Sequence, residues 1–596
     1  MSSNSRSGQV TEAPAATSLA VQRPFLRRPI PPEILELIFL SVVDFQSRTL
    51  EGSCCLESTS ARSLSQVCRQ WRLVALKSKE LWRQTFDPDT ATLAWAQVVL
   101  QRCGSRPLAL VSARPSSPSD DPAKWNLIGT LQPQFEYIFV DVRHPTSGCL
   151  QRLLGSPSQR LVDATVMWDS IDRDIQLIPP SLTDFGRPLF GNNVPNLHRL
   201  RLVNFAFPFA GRPQAPLSFP SLRQLSLEYT PKRRGFYSGI WPATVLKIVQ
   251  AHPFLTHLTL SHCVASHQLD LGGVTQHRLP FLQSFSYSGT ASVFLALSER
   301  LELPAMCDKH LFIHLDPHHD WSRASIDDLI TCGLGLIPIL PYVCMGICIQ
   351  YNRLYIALDE PEHRHEISFD IQELSRFRHL PPPDLARRIL ELHSDTEEYS
   401  DIDYFACAVN DWLRQHPMLY RSVRTLKYRS ATRGVSAVLM LYMLWALPNL
   451  ERLHVATCRT LNSPHLLASL ANAQPNLPTL DRLRCLIIPF CALVDMSTPP
   501  VGPPPTELRG AFQSCAPTSA LGVTQRLEVA VSPELSRLCG SNIEGVVEGR
   551  IEGLQGLLAP WIVSWTIVDD SWINYPLRYA QFPLSDPHEE NAVASH

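Results

Sequence analysis

A recurring phrase, Pro-x-Leu-x-x-Leu-x-Leu, is the feature of this 596-residue chain that most constrains its fold. Copies begin at Pro195, Pro220, Pro253, Pro280, Pro448 and Pro478, the later ones with Phe, Tyr, Val or Cys in place of some leucines. The first four prolines are 25, 33 and 27 residues apart, and the last two are 30 apart. Residues i and i+2 of a strand point to the same face, so each Leu-x-Leu is predicted as a short strand with both leucines inward. Stacked copies would bury a continuous apolar spine that no single copy could bury alone.

This pattern resembles irregular leucine-rich repeats. The resemblance implies an α/β solenoid whose outward strand residues line a concave surface, with returns along the convex side. The spacing favours helical returns, such as residues 243–251 before the third copy. Between Leu301 and Ala446 the phrase degrades, and fragments such as Leu311-Phe-Ile313 are interpreted as further strands without a defined register.

One uncharged stretch, Thr331 to Gln350, has nearly the length that a membrane-spanning helix needs. Glycines and prolines interrupt it at residues 333, 335, 338, 341 and 346. These breaks favour two short buried strands joined by a proline turn.

A different pattern, helical and unusually apolar, covers residues 29–88. Pro31 and Pro32 stand where a helix would begin, and the residues behind them up to Val43 are apolar on nearly every side. A second helix places its apolar residues on one stripe, and Ser78 is predicted to cap a third helical turn. A segment of this size has too small a core to stand alone, so its apolar surplus needs a partner in this chain or in another protein.

These residues resemble the F-box family through Pro-Pro-Glu-Ile-Leu at 31–35, Val-Cys-Arg-Gln-Trp-Arg at 67–72 and Leu81-Trp82. The insertion at 44–62 and the later Trp95, Gly104, Pro107 and Leu108 resemble the extended F-box-like form of mushroom-type fungi. The resemblance implies docking to a Skp-type adaptor and, through it, to a cullin. The residues it assigns to adaptor binding are Pro32, Ile34, Leu35, Ile38, Phe39, Leu64, Val67, Cys68, Trp71, Leu81 and Trp82.

The composition of the chain bears on its binding partners and its location in the cell. A net charge of −2 and an isoelectric point near 6.8 predict no general affinity for nucleic acid or for acidic membranes. Sixteen scattered cysteines, several within apolar runs (Cys68, Cys344, Cys348, Cys485), indicate reduced, buried thiols. With no apolar secretory segment near residue 1, we expect a cytoplasmic or nuclear protein.

Catalytic and cofactor motifs are not found. There is no phosphate-binding glycine loop, paired-cysteine zinc spacing or nucleophile elbow. His314, His318, His319 and Asp320 are the best metal candidates, but with the Pro317 turn and Asp316 beside them they suit a solvent-facing loop just as well. We therefore expect no enzyme activity, no metal and no cofactor.

The expected domain order starts with a disordered tail (1–28), the F-box-like domain (29–88) and a transition (89–190). The solenoid (191–492), a proline-rich loop (493–510), a C-terminal cap (511–585) and a disordered tail (586–596) complete it.

The leading hypothesis is a non-catalytic substrate-recognition subunit of an SCF-type cullin–RING ubiquitin ligase. One alternative is a scaffold whose F-box is covered by its own chain, which a burial map would reveal. Another is an enzyme with its site in residues 300–446, which would show a deep pocket of titratable groups. The substrate is expected to be a protein of unknown identity, with candidate contacts at His198, Arg199, Arg201, Arg223, Gln224, His257 and Thr259.

Overall fold

The computed structural model divides the chain into two compact units, Met1–Ala113 and Arg114–His596. It describes residues 30–48, 63–84, 92–112, 122–141, 153–167, 189–204, 219–229, 240–265, 275–315, 322–337, 342, 344–350, 353–359, 364–370, 401–430, 447–457, 485–489, 526–531 and 564–569. The expected tails, the proline-rich loop and most of the 44–62 insertion lie outside these ranges.

The first unit is mainly helical. Its elements are α1 (Pro32–Arg48), α2 (Arg69–Lys77), α3 (Lys79–Gln84), α4 (Leu93–Cys103) and β1 (Leu108–Ser112). It includes α4 and β1, which the sequence interpretation assigned to a transition beyond residue 88. The reason is packing, because Trp95 of α4 lies edge-on to Trp82 of α3 with ring centroids 5.9 Å apart.

The second unit is built on one large, mostly parallel sheet with helices between strands. The strands of this unit are β2 (Phe135–Asp141), β3 (Asp163–Met167), β4 (Arg199–Val203), β5 (Gln224–Glu228), β6 (His257–Ser261), β7 (His277–Arg278), β8 (Ser284–Thr290), β9 (Leu301–Glu302), β10 (Asp308–His314), β11 (Cys344–Gln350), β12 (Arg353–Asp359), β13 (Arg364–Asp370), β14 (Thr425–Ser430), β15 (Arg452–Thr457), β16 (Cys485–Pro489), β17 (Arg526–Val531) and β18 (Ser564–Asp569). β7 and β9 form a separate two-stranded parallel sheet, and the other strands belong to the large sheet. The helices are α5 (Pro122–Leu131), α6 (Pro242–Ala251), α7 (Ala291–Ser298), α8 (Arg323–Gly335) and α9 (Asp401–Gln415), with 3₁₀ turns at Gln132–Gln134, Leu189–Asn192 and Pro417–Leu419.

The strands predicted from the recurring phrase are confirmed at its first four copies, which form β4, β5, β6 and β8. These strands are adjacent and parallel, with Leu200, Leu225, Leu258 and Phe285 in one register row. The inward residues of all four copies are buried. Buried side chains of α6 and α7 cover the apolar face, with Tyr287 and Phe294 at a centroid distance of 5.4 Å.

Strand order changes where the phrase degrades. β10 pairs in parallel with β13 and β11 pairs in parallel with β14, while β12 runs antiparallel between β11 and β13. A three-stranded antiparallel segment therefore interrupts the parallel series. This explains the lost phrase, because antiparallel strands joined by short connections need no helical return. β14 to β18 then continue in parallel, including β17 and β18 in the region interpreted as a cap.

Two sequence interpretations are wrong in detail. Residues 331–335 end helix α8 instead of forming a strand, and β11 is the one strand among the described residues of this stretch, from which 338–341 and 343 are left out. Cys68 is exposed, whereas Cys485 is buried as expected and Cys344 is partly buried.

Among the described residues, no helix is long and apolar enough to cross a membrane.

Candidate docking site

Helix α1 has one buried stripe that holds it to the rest of the first unit. It begins at Pro32, whose missing N–H costs nothing at a helix start. Leu35 and Phe39, four residues apart, are fully buried. Phe39 packs against Trp71 of α2, with ring centroids 5.0 Å apart. The amide of Gln70 also donates to the carbonyl of Ile30 at 2.6 Å, which ties α2 to the segment before α1.

Capping hydrogen bonds fix both ends of α2, and the sequence predicts the one at Ser78, between α2 and α3. Cys68 is the N-cap of α2, and its sulfur accepts a hydrogen bond from Trp71 N–H at 3.5 Å. Ser78 serves both helices: its N–H donates to Val74 O, and its hydroxyl accepts from Leu81 N–H at 3.2 Å. The predicted Ser78 cap is therefore confirmed.

Trp82 is the centre of a second, buried cluster. Its indole N–H donates to Ala75 O at 2.7 Å, so the polar atom of this large ring is satisfied. The Arg102 guanidinium lies 4.3 Å from the Trp82 ring centroid and 5.6 Å from that of Trp95. Burial lowers the pKa of Arg102 and raises the pKa of the Cys103 thiol to about 12, which keeps that thiol protonated and unreactive.

The face of α1 next to its buried stripe is apolar and open to solvent. Ile34, Leu37, Ile38 and Val42 are 47%, 60%, 40% and 37% exposed, respectively. Their spacing of three and four residues places them on one helix face. Ile30, Val67, Leu73 and Leu76 are also exposed in the same unit. Exposed apolar residues in such number are typical of a protein-interaction surface.

The electrostatics of α2 add a charge preference. Arg69, Arg72 and Lys77 are exposed, and the helix contains no carboxylate. A partner surface with acidic residues beside an apolar centre would complement this arrangement.

The structure divides the residues expected to bind the adaptor into two groups. Pro32, Ile34, Ile38, Val67 and Cys68 are exposed, and Leu64 and Trp71 are partly buried. Leu35, Phe39, Leu81 and Trp82 are buried in the core of the unit itself, so they support the surface from beneath rather than form it.

Five exposed apolar residues of the first unit were not assigned from the sequence: Ile30, Leu37, Val42, Leu73 and Leu76. The helical spacing from Ile34 to Leu37 to Ile38 to Val42 is the signal that could have identified two of them. Leu73 and Leu76 lie off the stripe that holds Trp71, Val74 and Ala75, so helical spacing along α2 could have identified them as well.

The described residues contain no group of three or more His, Cys, Asp or Glu side chains that could hold a metal ion. His318, His319 and Asp320 of the candidate metal set lie outside the described ranges.

Comparison with protein families identifies an F-box-like domain at residues 29–87, which includes both helices of the apolar surface. A comparison of the chain with curated proteins finds no match.

Proposed function

We propose that this protein is a non-catalytic substrate-recognition subunit of an SCF-type cullin–RING ubiquitin ligase. The observation that carries the proposal is the exposed apolar face of α1, which lies within the F-box-like domain. F-box domains generally bind Skp-type adaptors, and a helix with one buried and one exposed apolar face suits such binding. The basic surface of α2 would complement an acidic region on the adaptor.

In this proposal the second unit is an irregular leucine-rich-repeat solenoid that holds a target protein. Its parallel strands carry Arg201, Ser226, Thr259 and Ser286, all partly exposed, on the face opposite the buried leucines. Binding a target here would raise its effective concentration near a transferring enzyme elsewhere in the ligase. The chain then needs no catalytic residue or cofactor of its own, and a cytoplasmic or nuclear location would suit this role.

The test is co-purification of the full chain with a Skp-type adaptor. We expect Ile34→Asp with Ile38→Asp to reduce adaptor binding by more than about a hundredfold, because two exposed apolar anchors become charged at the interface. Met418→Asp is the matched control, since it charges an exposed apolar residue of the second unit. Ile38→Ala with Trp71→Ala is a poorer choice, because Trp71 packs against buried Phe39 and its loss would disturb the core of the unit.

Unchanged adaptor binding by the double aspartate variant would contradict the proposal. Circular dichroism and unfolding of the variant should match the parent chain, since both substituted side chains are at least 40% exposed. Equal loss of binding in the Met418→Asp control would indicate a nonspecific effect of added charge.

A further inference from the structure

The second unit carries a ridge of three exposed apolar side chains on successive turns. Phe254, Phe281 and Met306, which we call the turn ridge, are 46%, 53% and 51% exposed. Each of them is the third residue of a four-residue turn, in which the N–H of the fourth residue donates to the carbonyl of the first. The closing bonds run from Leu255 N–H to His252 O, from Leu282 N–H to Leu279 O and from Cys307 N–H to Pro304 O. These turns precede β6, β8 and β10, which are neighbours in the sheet.

Apolar residues are not required at this position of the turn. The equivalent place is held by Asn196, Ser221, Ser422 and Asn449 in turns closed by the same bond. Asn196 and Asn449 use their amides to donate to Gln159 O and Arg421 O, at 2.6 and 2.7 Å. The fold therefore accepts polar residues here, and three consecutive large apolar residues have no structural requirement behind them.

The ridge is ordered before any partner arrives. The Phe254 and Phe281 rings are in contact, with centroids 5.8 Å apart and planes tilted by 34°. The turn before Phe254 is anchored by buried His252, which joins Ile248 O at 2.7 Å and accepts from Phe219 N–H at 3.1 Å. Preorganised apolar anchors lose little conformational entropy on binding.

Arg223 supplies a positive charge at one end of the ridge. Its guanidinium carbon lies 5.1 Å from the Phe254 ring centroid, and its Nη1 donates to Phe254 O at 3.2 Å. Arg199, Arg201, Arg278 and Arg424 each have a carboxylate partner within 4 Å. No carboxylate of the described residues pairs with Arg223, which is exposed.

The spacing of the ridge favours a helical occupant. Adjacent strands are about 4.8 Å apart, close to the helix pitch of about 5.4 Å, so ridge side chains fit between successive turns of a helix. An added strand is disfavoured because the N–H groups of Leu255, Leu282 and Cys307 are already used within the turns. The Arg223 guanidinium beside the Phe254 ring would be complemented by a carboxylate on the occupant.

We propose that the turn ridge binds an amphipathic α-helix of the target protein, with apolar residues over Phe254, Phe281 and Met306 and an acidic residue facing Arg223. This rests on the proposed function, because it assigns the ridge to target recognition. The proposal specifies that the recognised segment of the target is an amphipathic helix. The outward-facing strand residues alone do not indicate what kind of segment binds.

The test uses a display library of amphipathic helical peptides, with leucines at i, i+3, i+4 and i+7 and random charged positions, selected on the purified full chain. We expect enriched peptides to carry an Asp or Glu beside the apolar face. Phe254→Asp with Phe281→Asp should weaken binding of an enriched peptide at least about tenfold, because two anchoring aromatics are lost. Selection on Arg223→Glu should enrich Lys or Arg at the same peptide position, and Ser422→Asp is the control that should change nothing.

Other outcomes overturn the inference. These are no enriched peptide, a charge preference that Arg223→Glu leaves unchanged, or binding unaffected by the Phe254→Asp, Phe281→Asp variant. A concentration-dependent dimer of the parent chain that this variant abolishes would instead assign the ridge to a second copy of the protein. Adaptor co-purification of the ridge variants separates the two proposals, since it should remain intact even if the ridge has no helical partner.

Discussion

At the scale of single residues, two charged groups of the sheet, those of Lys309 and Asp163, are largely buried. Lys309 lies in the inward row beside Phe285, and its ammonium donates to the carbonyls of Pro304, Ala305 and Cys307 at 3.2, 3.2 and 2.9 Å. Its charge is tolerated in the core because all three donors are used. Asp163 is in the opposite situation: Arg199 is 3.9 Å from Oδ2, and Oδ1 is buried without a hydrogen-bond partner.

The stability of the second unit should therefore depend on Asp163. Burial raises the pKa of Asp163 to about 6, although Arg199 acts in the other direction. The folded state then binds more protons than the unfolded state between the ordinary value of 3.8 and about 6, so this contribution to stability is lost as pH rises through that window. We expect Asp163→Asn to increase the free energy of unfolding at neutral pH by about 1–3 kcal/mol, with little effect below the ordinary pKa.

Urea unfolding of Asp163→Asn and the parent chain across this pH range measures the effect. Glu302→Gln is the control, because that carboxylate is half exposed and its pair with Arg278 should contribute little. A variant less stable than the parent at neutral pH would show that the Arg199 interaction outweighs burial.

At the scale of elements, a strand of the recurring phrase separates two environments along its length. In β6 the burial alternates, with Leu258 and Leu260 buried and Thr259 partly exposed between them. Central parallel strands gain their stability from such inward residues, which are covered by helices on the apolar face. This alternation predicts that substitutions at the inward positions reduce the stability of the unit much more than substitutions at the positions between them.

We expect Leu258→Ala to reduce the free energy of unfolding by about 2–5 kcal/mol, because it leaves a cavity in a buried row. Thr259→Ala should change it by less than about 0.5 kcal/mol, since its side chain is partly exposed on the other face. Thermal unfolding followed by circular dichroism compares the two. Similar losses in both variants would mean that the face carrying Thr259 is also packed.

At the scale of the whole molecule, each unit has a core of its own. Trp82, Trp95 and Phe39 anchor the first unit, while rows of leucines and the side chains of α6 and α7 anchor the second. This division suits the proposed function, in which one unit meets the adaptor and the other meets the target.

Calorimetry of the full chain should consequently show two unfolding transitions. We expect Trp82→Ala to lower only one of them, with a cost of about 3–5 kcal/mol from the lost ring and its hydrogen bond to Ala75 O. Leu258→Ala should lower only the other. A single transition that both variants shift equally would show that the units unfold cooperatively.

The amino-acid sequence by itself determined the strands of the recurring phrase, the helix start at Pro32 and the Ser78 cap. These features depend on local spacing, proline geometry and short-range hydrogen bonds, all of which are visible along the chain. It also pointed to the F-box-like segment, because a helix with two apolar faces needs two partners.

Only the tertiary structure decided which apolar face is covered. Leu35 and Ile34 are neighbours of equal hydrophobicity, yet one is buried against the unit's core and the other faces solvent. The antiparallel segment β11 to β13 and the turn ridge depend in the same way on which strands become neighbours. Phe254, Phe281 and Met306 are far apart in sequence, and only sheet pairing brings their turns together into a surface with Arg223.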